Sequence, residues 1–416
     1  MNKNILYVCY ISPGWPLSAF PNGIVTYIQN IVSGFDSIVI PIIATNKLCS
    51  ENLSNYKIID LTDFIGNRKV FLRVCNKIFR VKLIPKNIKD WYKDCQVKNY
   101  YTAIFKGINT VAGNVDILEV EESFGKAKYL VREGGIPIIT RLHGPWFIHG
   151  PIMNLDTENG YSARVEAEGE AIRLSDGVTA PSLDVLNRVR EFYGISLSNA
   201  QVIPNPVPAV LQENQWQYKA DEKQTILVVG RFDLHKGGDL ALDAFRIVAS
   251  SNYDVELLFV GPDRGVLVDS VSYSFNEYLD AFISEPGIKK RINFLGHCGS
   301  NEISILRKSA SVTLMPSRYD NFPMSLLEAV ATGSPVVATS VGGMKEIIID
   351  EFNGLLAISE SAENMAEKLS QLLGDPEKMQ RLSKNAIKDS QDRFLPEVVA
   401  RQTEAFYRKI IDKKSL

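Results

Sequence analysis

The sequence predicts an α/β protein with two doubly wound parallel-sheet domains that face each other across a cleft. Short continuous apolar runs, typical of strands buried on both faces, alternate with segments whose apolar residues recur at helical spacing. A strand, a loop rich in Pro or Gly and an amphipathic helix follow each other near residue 5 and again near residue 224. At 416 residues the chain is too long for one ordinary core, so two domains are expected.

The predicted strands fall into two sets along the chain. The first is NILYVCYI, SIVIPII, DILEV, IPIIT, GVTAP and QVIP, and the second is QTILVVG, VELLFVG, INFLG, SVTLMP and PVVAT. Between them, PNPVPAVLQENQWQYKADEK has the proline-rich and polar composition of a linker. We therefore expect Rossmann-like domains at residues 1–207 and 220–395. The helix at residues 396–416 is expected to pack back on the first domain.

Composition excludes several classes of protein. The formal net charge of −2 gives no overall attraction for nucleic acid, so none is expected as a partner. Five scattered cysteines without a C-x-x-C pair indicate free thiols in a reducing compartment. No stretch approaches the apolar length of a membrane span, and the first apolar run is interpreted as a strand, so a cytoplasmic location is expected.

The loop VVGRFDLHKGG follows a predicted strand and opens a helix, where an anion is favoured by the helix N-terminus. Gly230 permits a sharp turn, and Arg231 and Lys236 then lie at the carboxyl end of the strand. A guanidinium for bidentate contact and a lysine point charge together suit a diphosphate. Loop cations are often merely solvated, but the glycines and the helix start favour a binding site.

The segment RYDNFPMSLLEAVATG places the charge of Glu328 in an otherwise apolar run. Pro323 suits a helix first turn and Gly333 a helix end, and the helix between them is expected to be buried. Asp320 lies in the preceding loop, where the backbone N–H groups of residues 321–324 are available to a ligand. Glu328 is therefore either a structural carboxylate with a partner in the protein or a carboxylate whose partner is a ligand.

These segments resemble the retaining glycosyltransferases of family 4, glycosyl transferase group 1, which have the GT-B fold. The resemblance is most specific from Gly230 to Leu356, where GRFDLHKGG, FVGPD, INFLG, SRYDNFPMSLLEAVATGSPVVATSVGG and EIIIDEFNGLL follow in the family's order. It continues more weakly through NILYVCY, NGIVTYI, TRLHGPW, DGVTAPS and VIPNPV. The chain departs from the family pattern at Asp320, where the family has a glutamate, and at Asn22-Gly23, where it has two glycines.

The resemblance implies a nucleotide-sugar site. In it Arg231 and Lys236 would hold the diphosphate and Glu328 would accept hydrogen bonds from the ribose hydroxyls. Because the ligand would then be the partner of Glu328, we expect Glu328→Gln to leave the stability of the ligand-free protein unchanged or raised. The other residues that the resemblance implies are catalytic Asp320 and His143 and donor-binding Gly23, Gly230, Asn321, Phe322, Pro323, Met324 and His297. His149 and His235 are expected to be surface residues.

The implied activity is that of a retaining hexosyltransferase. It would move a sugar from a nucleotide-diphosphate-sugar donor to a glycan or lipid-linked acceptor in cell-envelope or surface polysaccharide synthesis. The sequence has no D-x-D pair and no cluster with metal-ligand spacing, so neither metal nor cofactor is expected. A phosphorylase of similar fold, a nucleotide-sugar 2-epimerase of GT-B fold and a non-catalytic nucleotide-sugar-binding protein are the alternatives. Donor turnover with and without acceptors separates them.

Residues 68–106 form a strongly basic segment. Eleven lysines and arginines stand against two aspartates, with aromatic and aliphatic side chains interleaved. Such a segment suits the anionic inner face of a membrane, where each cation adds about 1 kcal/mol, and equally suits a solvated helix face. The membrane interpretation makes the protein peripheral and favours a lipid-linked acceptor.

Overall fold

The computed structural model describes residues 5–49, 56–65, 98, 101–102, 104–110, 113, 115–132, 135–157, 160–220, 223–251 and 254–414. Its strands are β1 (Leu6–Ser12), β2 (Val39–Thr45), β3 (Lys57–Asp60), β4 (Ile117–Glu121), β5 (Ile138–Arg141), β6 (Gly177–Ala180), β7 (Ala200–Val202), β8 (Gln224–Val229), β9 (Phe232–Asp233), β10 (Val255–Val260), β11 (Asp263–Val268), β12 (Val271–Tyr273), β13 (Ile292–Gly296), β14 (Val312–Met315), β15 (Val336–Thr339) and β16 (Leu355–Ala357).

Helices connect these strands on both sides of the sheets. In the first half they span Gly23–Ser33, Thr62–Ile65, Ala127–Arg132, Trp146–Ile152, Tyr161–Leu174 and Leu183–Tyr193. In the second half they span Gly238–Ser250, Phe275–Phe282, Pro286–Lys289, Ser300–Ser309, Met324–Thr332, Met344–Ile347, Ala362–Leu373, Pro376–Arg393 and Pro396–Lys414. Single 3-10 turns lie at Ser123–Gly125 and Gln212–Asn214.

The strands form two parallel sheets, one in each half of the chain. The first has the order β3-β2-β1-β4-β5-β6-β7 and the second β13-β10-β8-β14-β15-β16. A small additional sheet, β12-β11-β9, lies beside the second and was not predicted. The predicted doubly wound α/β architecture is confirmed. In such sheets ligands bind outside the carboxyl ends of the strands where the strand order reverses, here between β1 and β4 and between β8 and β14.

The chain passes from one domain to the other on either side of residue 205 and returns at its last helix. Ile203 packs in the core around β1, whereas Val207 and Trp216 pack in cores of the second half. The helix Pro396–Lys414 returns to the first sheet, where Tyr407 is buried beside β1 and the helix Gly23–Ser33.

In the part of the chain that the structure describes, no helix has the length and apolar character needed to cross a bilayer. Most of the basic segment at residues 68–106 lies outside the described residues. Its contact with a membrane therefore stays a prediction, as does the cytoplasmic location.

Candidate active site

The loop after β8 and the loop after β14 meet at the point where the order of the second sheet reverses. Gly237 has φ +68°, and a Cβ there would lie 2.1 Å from the carbonyl oxygen of Pro316, so only glycine permits this approach. The approach brings Lys236 against Asp320, with 2.6 Å between Nζ and Oδ2. Burial raises the pKa of Asp320, but Lys236 and His235 together hold it below its usual value. The candidate catalytic cation and carboxylate thus form an ion pair.

Arg231 and His235 lie on the same loop. Nε of Arg231 donates to Oδ2 of Asp233 at 2.6 Å, and its Nη2 lies 3.4 Å from Nδ1 of His235. The expectation that His235 is a surface residue is wrong, because the loop turns inward and leaves it only 6% exposed. Burial lowers the pKa of His235, and its Nε2 has no hydrogen-bond partner among the described residues.

His149 crosses the cleft from the first domain and was also wrongly expected at the surface. Its ring lies 5.2 Å from that of His235, measured between centroids, and its Nε2 lies 3.2 Å from Nδ2 of Asn321. Burial, with the neighbouring His235, lowers the pKa of His149 to about 4. The neutral imidazole therefore accepts from the Asn321 amide. The same Nδ2 donates to the backbone carbonyl of His143, so Asn321 joins the two domains.

His143 lies at the carboxyl end of β5 and faces the first helix. Its ring meets the ring of Tyr27 edge to face, 5.0 Å between centroids, and burial holds its pKa well below the usual value. The backbone N–H groups of His143 and Gly144 both donate to Glu122, the former at 2.8 Å. Burial and the charge of Glu168 raise the pKa of Glu122 to about 8. His143 is therefore a neutral histidine held by its backbone.

Glu346 forms a second contact across the cleft. Its carboxylate accepts from the backbone N–H groups of Leu183 and Asp184, at 2.8 and 2.9 Å, and so caps the helix Leu183–Tyr193 of the first domain. Tyr319, in the loop before Asp320, donates through its hydroxyl to Oδ2 of Asp184 at 3.1 Å. These contacts fix the first domain against the loops that carry the candidate site.

Glu328 has a charged partner, so the expectation that a ligand alone would meet its charge is wrong. Nη2 of Arg307, on the helix Ser300–Ser309, lies 2.7 Å from Oε2 of Glu328. The Arg307 side chain is only 6% exposed, whereas that of Glu328 is 39% exposed. Glu328 is therefore not a buried carboxylate. It lies at the edge of the apolar helix, where a ligand hydroxyl can still reach it.

The sequence models of two protein families match consecutive parts of the chain, and each is named here by its description. The description "Glycosyltransferase Family 4" matches residues 80–210, and "Glycosyl transferases group 1" matches residues 212–389. The chain belongs to the group 1 glycosyltransferases of family 4. The resemblance inferred from the motifs is thereby confirmed.

Curated relatives and solved structures of similar fold differ in how much of the chain they match. An uncharacterized glycosyltransferase of Methanocaldococcus jannaschii is 29% identical over 188 residues, 45% of each chain. The chain spans about half the length of the first curated relatives it matches. Sucrose-phosphate synthase of Thermosynechococcus elongatus (TM-score 0.68, 16% identity) covers 98% of this chain with 100% of its own. Anabaena HepE in complex with UDP-glucose (TM-score 0.68, 15% identity) covers 97% with 100% of its own. These likenesses confirm the GT-B fold.

Two other residues predicted at the donor, Gly23 and His297, lie outside the cluster around Lys236 and Asp320. Asn22 caps the helix Gly23–Ser33, with its Oδ1 accepting from the N–H groups of Ile24 and Val25 at 3.0 and 3.1 Å. Asn22 thus already uses N–H groups that a phosphate would take at this helix start. Gly23 itself is exposed, and so is His297 just beyond the edge strand β13. Their roles at the donor stay predictions.

The loop preceding the helix Met324–Thr332 is anchored by residues that the sequence interpretation missed. Asn205 donates to the carbonyl of Phe322 at 3.1 Å and accepts from Nη2 of the buried Arg141 at 2.8 Å. Pro323 caps the helix and Met324 begins it, as the Pro signal predicted to within one residue. Among the described residues no group of three or more His, Cys, Asp or Glu side chains is placed to hold a metal ion.

Proposed function

We propose that the protein is a retaining hexosyltransferase. It moves a sugar from a nucleoside-diphosphate-sugar donor to a glycan or lipid-linked acceptor used in cell-envelope or surface polysaccharide synthesis. The observation that carries the proposal is the ion pair of Lys236 and Asp320 outside β8 and β14, with Arg231 held by Asp233 on the same loop as Lys236. The structure of Anabaena HepE with UDP-glucose, which has a similar fold, supports a uridine nucleotide as the first donor to test.

The two cations account for the leaving-group chemistry. When the bond between the anomeric carbon and the diphosphate breaks, the diphosphate leaves with the electron pair and negative charge grows on its oxygens. An acceptor hydroxyl oxygen forms the new bond to the anomeric carbon, and its proton passes to the departing diphosphate. Lys236 turns from Asp320 toward that charge, and Arg231 stabilises it from the same loop. Asp320 is then free to accept a hydroxyl of the sugar. The contacts of Asn321 and Glu346 across the cleft hold the two domains against each other, in an arrangement that would position acceptor and donor.

Donor turnover is the direct test of this activity. We expect a thermal-shift panel of nucleotides and nucleotide-sugars to identify a donor, since a ligand at 100 times its Kd adds about 2.7 kcal/mol. Release of nucleoside diphosphate should then rise when acceptor glycans are added. If the donor is consumed equally fast with and without acceptor and is recovered epimerised, the protein is a 2-epimerase. Binding without turnover is the result of a silent binding protein. Either result would overturn the proposal.

Substitutions at the cations separate binding from chemistry. We expect Arg231→Ala or Lys236→Ala to lower kcat by roughly 10²–10³, because the charge that they stabilise grows during transfer. We expect Asp320→Ala to abolish transfer while nucleoside diphosphate still binds. A matched control is Lys223→Ala, which removes a surface lysine paired with Glu256. Unchanged kcat in both cation variants would remove Arg231 and Lys236 from the mechanism.

Metal independence is tested by chelation. Because two cations face the diphosphate, we expect EDTA to leave the transfer rate within about twofold. A rate that falls with EDTA and returns with Mg²⁺ or Mn²⁺ would replace this proposal with a metal-assisted transfer.

A further inference from the structure

Phe124 is an unusual residue for its position. It follows β4 and has left-handed backbone angles, φ 61° and ψ 15°, which non-glycine residues rarely adopt. Its side chain is nevertheless 59% exposed, so burial of the ring does not account for the conformation. Non-glycine residues in such conformations persist only where the surroundings hold them, and they cluster at binding and catalytic sites.

Glu168, on the helix Tyr161–Leu174, stabilises this conformation of Phe124. The carboxylate is fully buried and accepts from the backbone N–H of Phe124 at 3.2 Å and from that of Trp146 at 2.7 Å. Beside Phe124, Gly125 has φ +65°, and a Cβ there would lie 2.2 Å from the carbonyl of Ala167. Gly125 thus packs closely on the helix Tyr161–Leu174, and the side chain of Phe124, the residue before it, projects outward.

Arg164 links Phe124 to Trp146. Its Nε donates to Oε1 of Glu168 at 2.8 Å, and its Cζ lies 4.0 Å from the ring centroid of Phe124 and 3.8 Å from that of Trp146. Guanidinium groups over aromatic rings are stabilised by the ring quadrupole. The three side chains form one aromatic platform, defined here as Phe124, Arg164 and Trp146. Arg164 covers one part of the Phe124 ring, and the rest faces solvent.

The aromatic platform lies on the cleft wall of the first domain. Phe124 follows β4, next to β1, where the order of the first sheet reverses and ligands bind in such sheets. Trp146 begins the helix Trp146–Ile152, and His149 one turn later touches Asn321 of the second domain. The platform is therefore about one helical turn from the candidate active site, on the opposite domain from the donor cations.

We propose that this platform binds a pyranose ring of the acceptor. A sugar ring presents a face of C–H groups that suits the negative face of an aromatic ring, and its hydroxyls suit the N–H donors of Arg164. The inference rests on the proposed function, which requires an acceptor on the side of the cleft away from the diphosphate. It adds the chemical class of that acceptor: a glycan that offers an apolar ring face to Phe124.

The test is saturation-transfer NMR on the full chain, with methyl glycosides as probes. The panel contains both anomers of methyl glucoside, galactoside, mannoside and N-acetylglucosaminide. We expect at least one glycoside to receive saturation at its C–H face, and Phe124→Ala to weaken its binding about tenfold. Phe124→Tyr should bind as the parent does. Phe352→Ala, at an exposed phenylalanine of the second domain, is the matched control and should change nothing.

Two results would overturn the inference. One is the absence of saturation transfer to every glycoside from a parent protein that still binds nucleotide. The other is glycoside binding that survives in Phe124→Ala. Phe124 is largely exposed and alanine has a similar backbone strain, so Phe124→Ala loses only the exposed contact with Arg164. The thermal midpoint should fall only slightly, and a large fall identifies misfolding. Nucleotide-sugar turnover is measured independently, so a failure of the proposed function is distinguished from a failure of the platform.

Discussion

Asp320 and Glu328 lie eight residues apart on either side of a helix start, and each forms a salt bridge. In the pair of Asp320 and Lys236 the carboxylate is the more buried member, with 11% of its side chain exposed against 20% for the lysine. In the pair of Glu328 and Arg307 the cation is the buried member, with 6% exposed against 39%. The first pair joins two loops at the cleft, and the second joins two helices.

The difference indicates what each carboxylate is able to do. Asp320 is held by Lys236 from the facing loop, so its charge is available to a ligand only when the lysine moves. Glu328 neutralises a buried guanidinium and still faces outward, so it binds Arg307 and a ligand hydroxyl together. Exposure and partner, and not the apolar context in the sequence, thus distinguish the two residues.

The largest effect is expected for Lys236→Met in the ligand-free protein. It leaves Asp320 as an uncompensated buried carboxylate, which costs about 3–5 kcal/mol of the free energy of unfolding at pH 7. In the parent the pKa of Asp320 is lowered, so the pair stabilises above about pH 4 and is lost as pH falls through the folded pKa. In the variant Lys236 no longer lowers that pKa, so burial raises it against the smaller effect of His235, and the loss of stability should shrink in acid. Urea unfolding at several pH values measures it.

The double variant Lys236→Met/Asp320→Asn is the control for this prediction. It removes both charges and should recover most of the lost stability. A Lys236→Met protein as stable as the parent at pH 7 would show that water already solvates Asp320, and the contrast with Glu328 would disappear.

A smaller effect is expected on acidification, and only on the Asp320 side of the comparison. The pKa of His149 is about 4 in the folded protein, below its unfolded value near 6.5, so the unfolded chain binds the proton first. The stability from His149 is complete above about pH 6.5. It falls by about 1.4 kcal/mol per pH unit as pH decreases toward 4. Thermal midpoints of the parent and of His149→Gln should converge in this range. A parallel pH dependence in both proteins would contradict the assignment.

The smallest effect is expected at Glu328. Because Arg307 loses its charge partner, we expect Glu328→Gln to cost about 1–2 kcal/mol in the ligand-free protein, in place of the neutral change expected from the sequence. A double-mutant cycle with Arg307→Gln measures the coupling, which should weaken in high salt because Glu328 is part-exposed. A coupling near zero would leave a ligand as the main partner of Glu328.

Sequence patterns predicted those features of the structure that depend on residues close together in the chain. The alternation of strands and helices along each half follows from local hydrophobic periodicity, and the helix that starts after Pro323 and ends at Gly333 follows from local capping chemistry. The loops of Lys236 and Asp320 each follow a predicted parallel strand, so the sequence was sufficient to predict that the two loops lie close together. The pairing of Arg307 with Glu328 was not, because nothing in either helix specifies which turn of the other it faces.

The histidines show the other limit of the sequence. His149 and His235 lie 86 positions apart, and each looks like an ordinary loop or helix residue in its own segment. Their burial arises only when the two domains meet, so no local pattern reports it. Glu122 and Glu168 were missed because the backbone N–H groups that they bind, those of His143 and Trp146, lie 21 and 22 positions away within the first domain. Three carboxylates around the end of a buried strand, at Glu119, Glu121 and Glu122, were nevertheless a usable signal.

The return of the helix Pro396–Lys414 to the first sheet sets an order of events during synthesis. Tyr407 donates to the buried carboxylate of Glu119 at 2.6 Å, and Phe406 and Ile410 complete the same core. The first domain leaves the ribosome without these side chains and waits for the second to be translated, roughly 10–40 s at ordinary elongation rates. During that interval the apolar face beside β1 is exposed to solvent. The newly made first domain then either binds chaperones or stays soluble with this face exposed until the last helix is synthesised and packs on it.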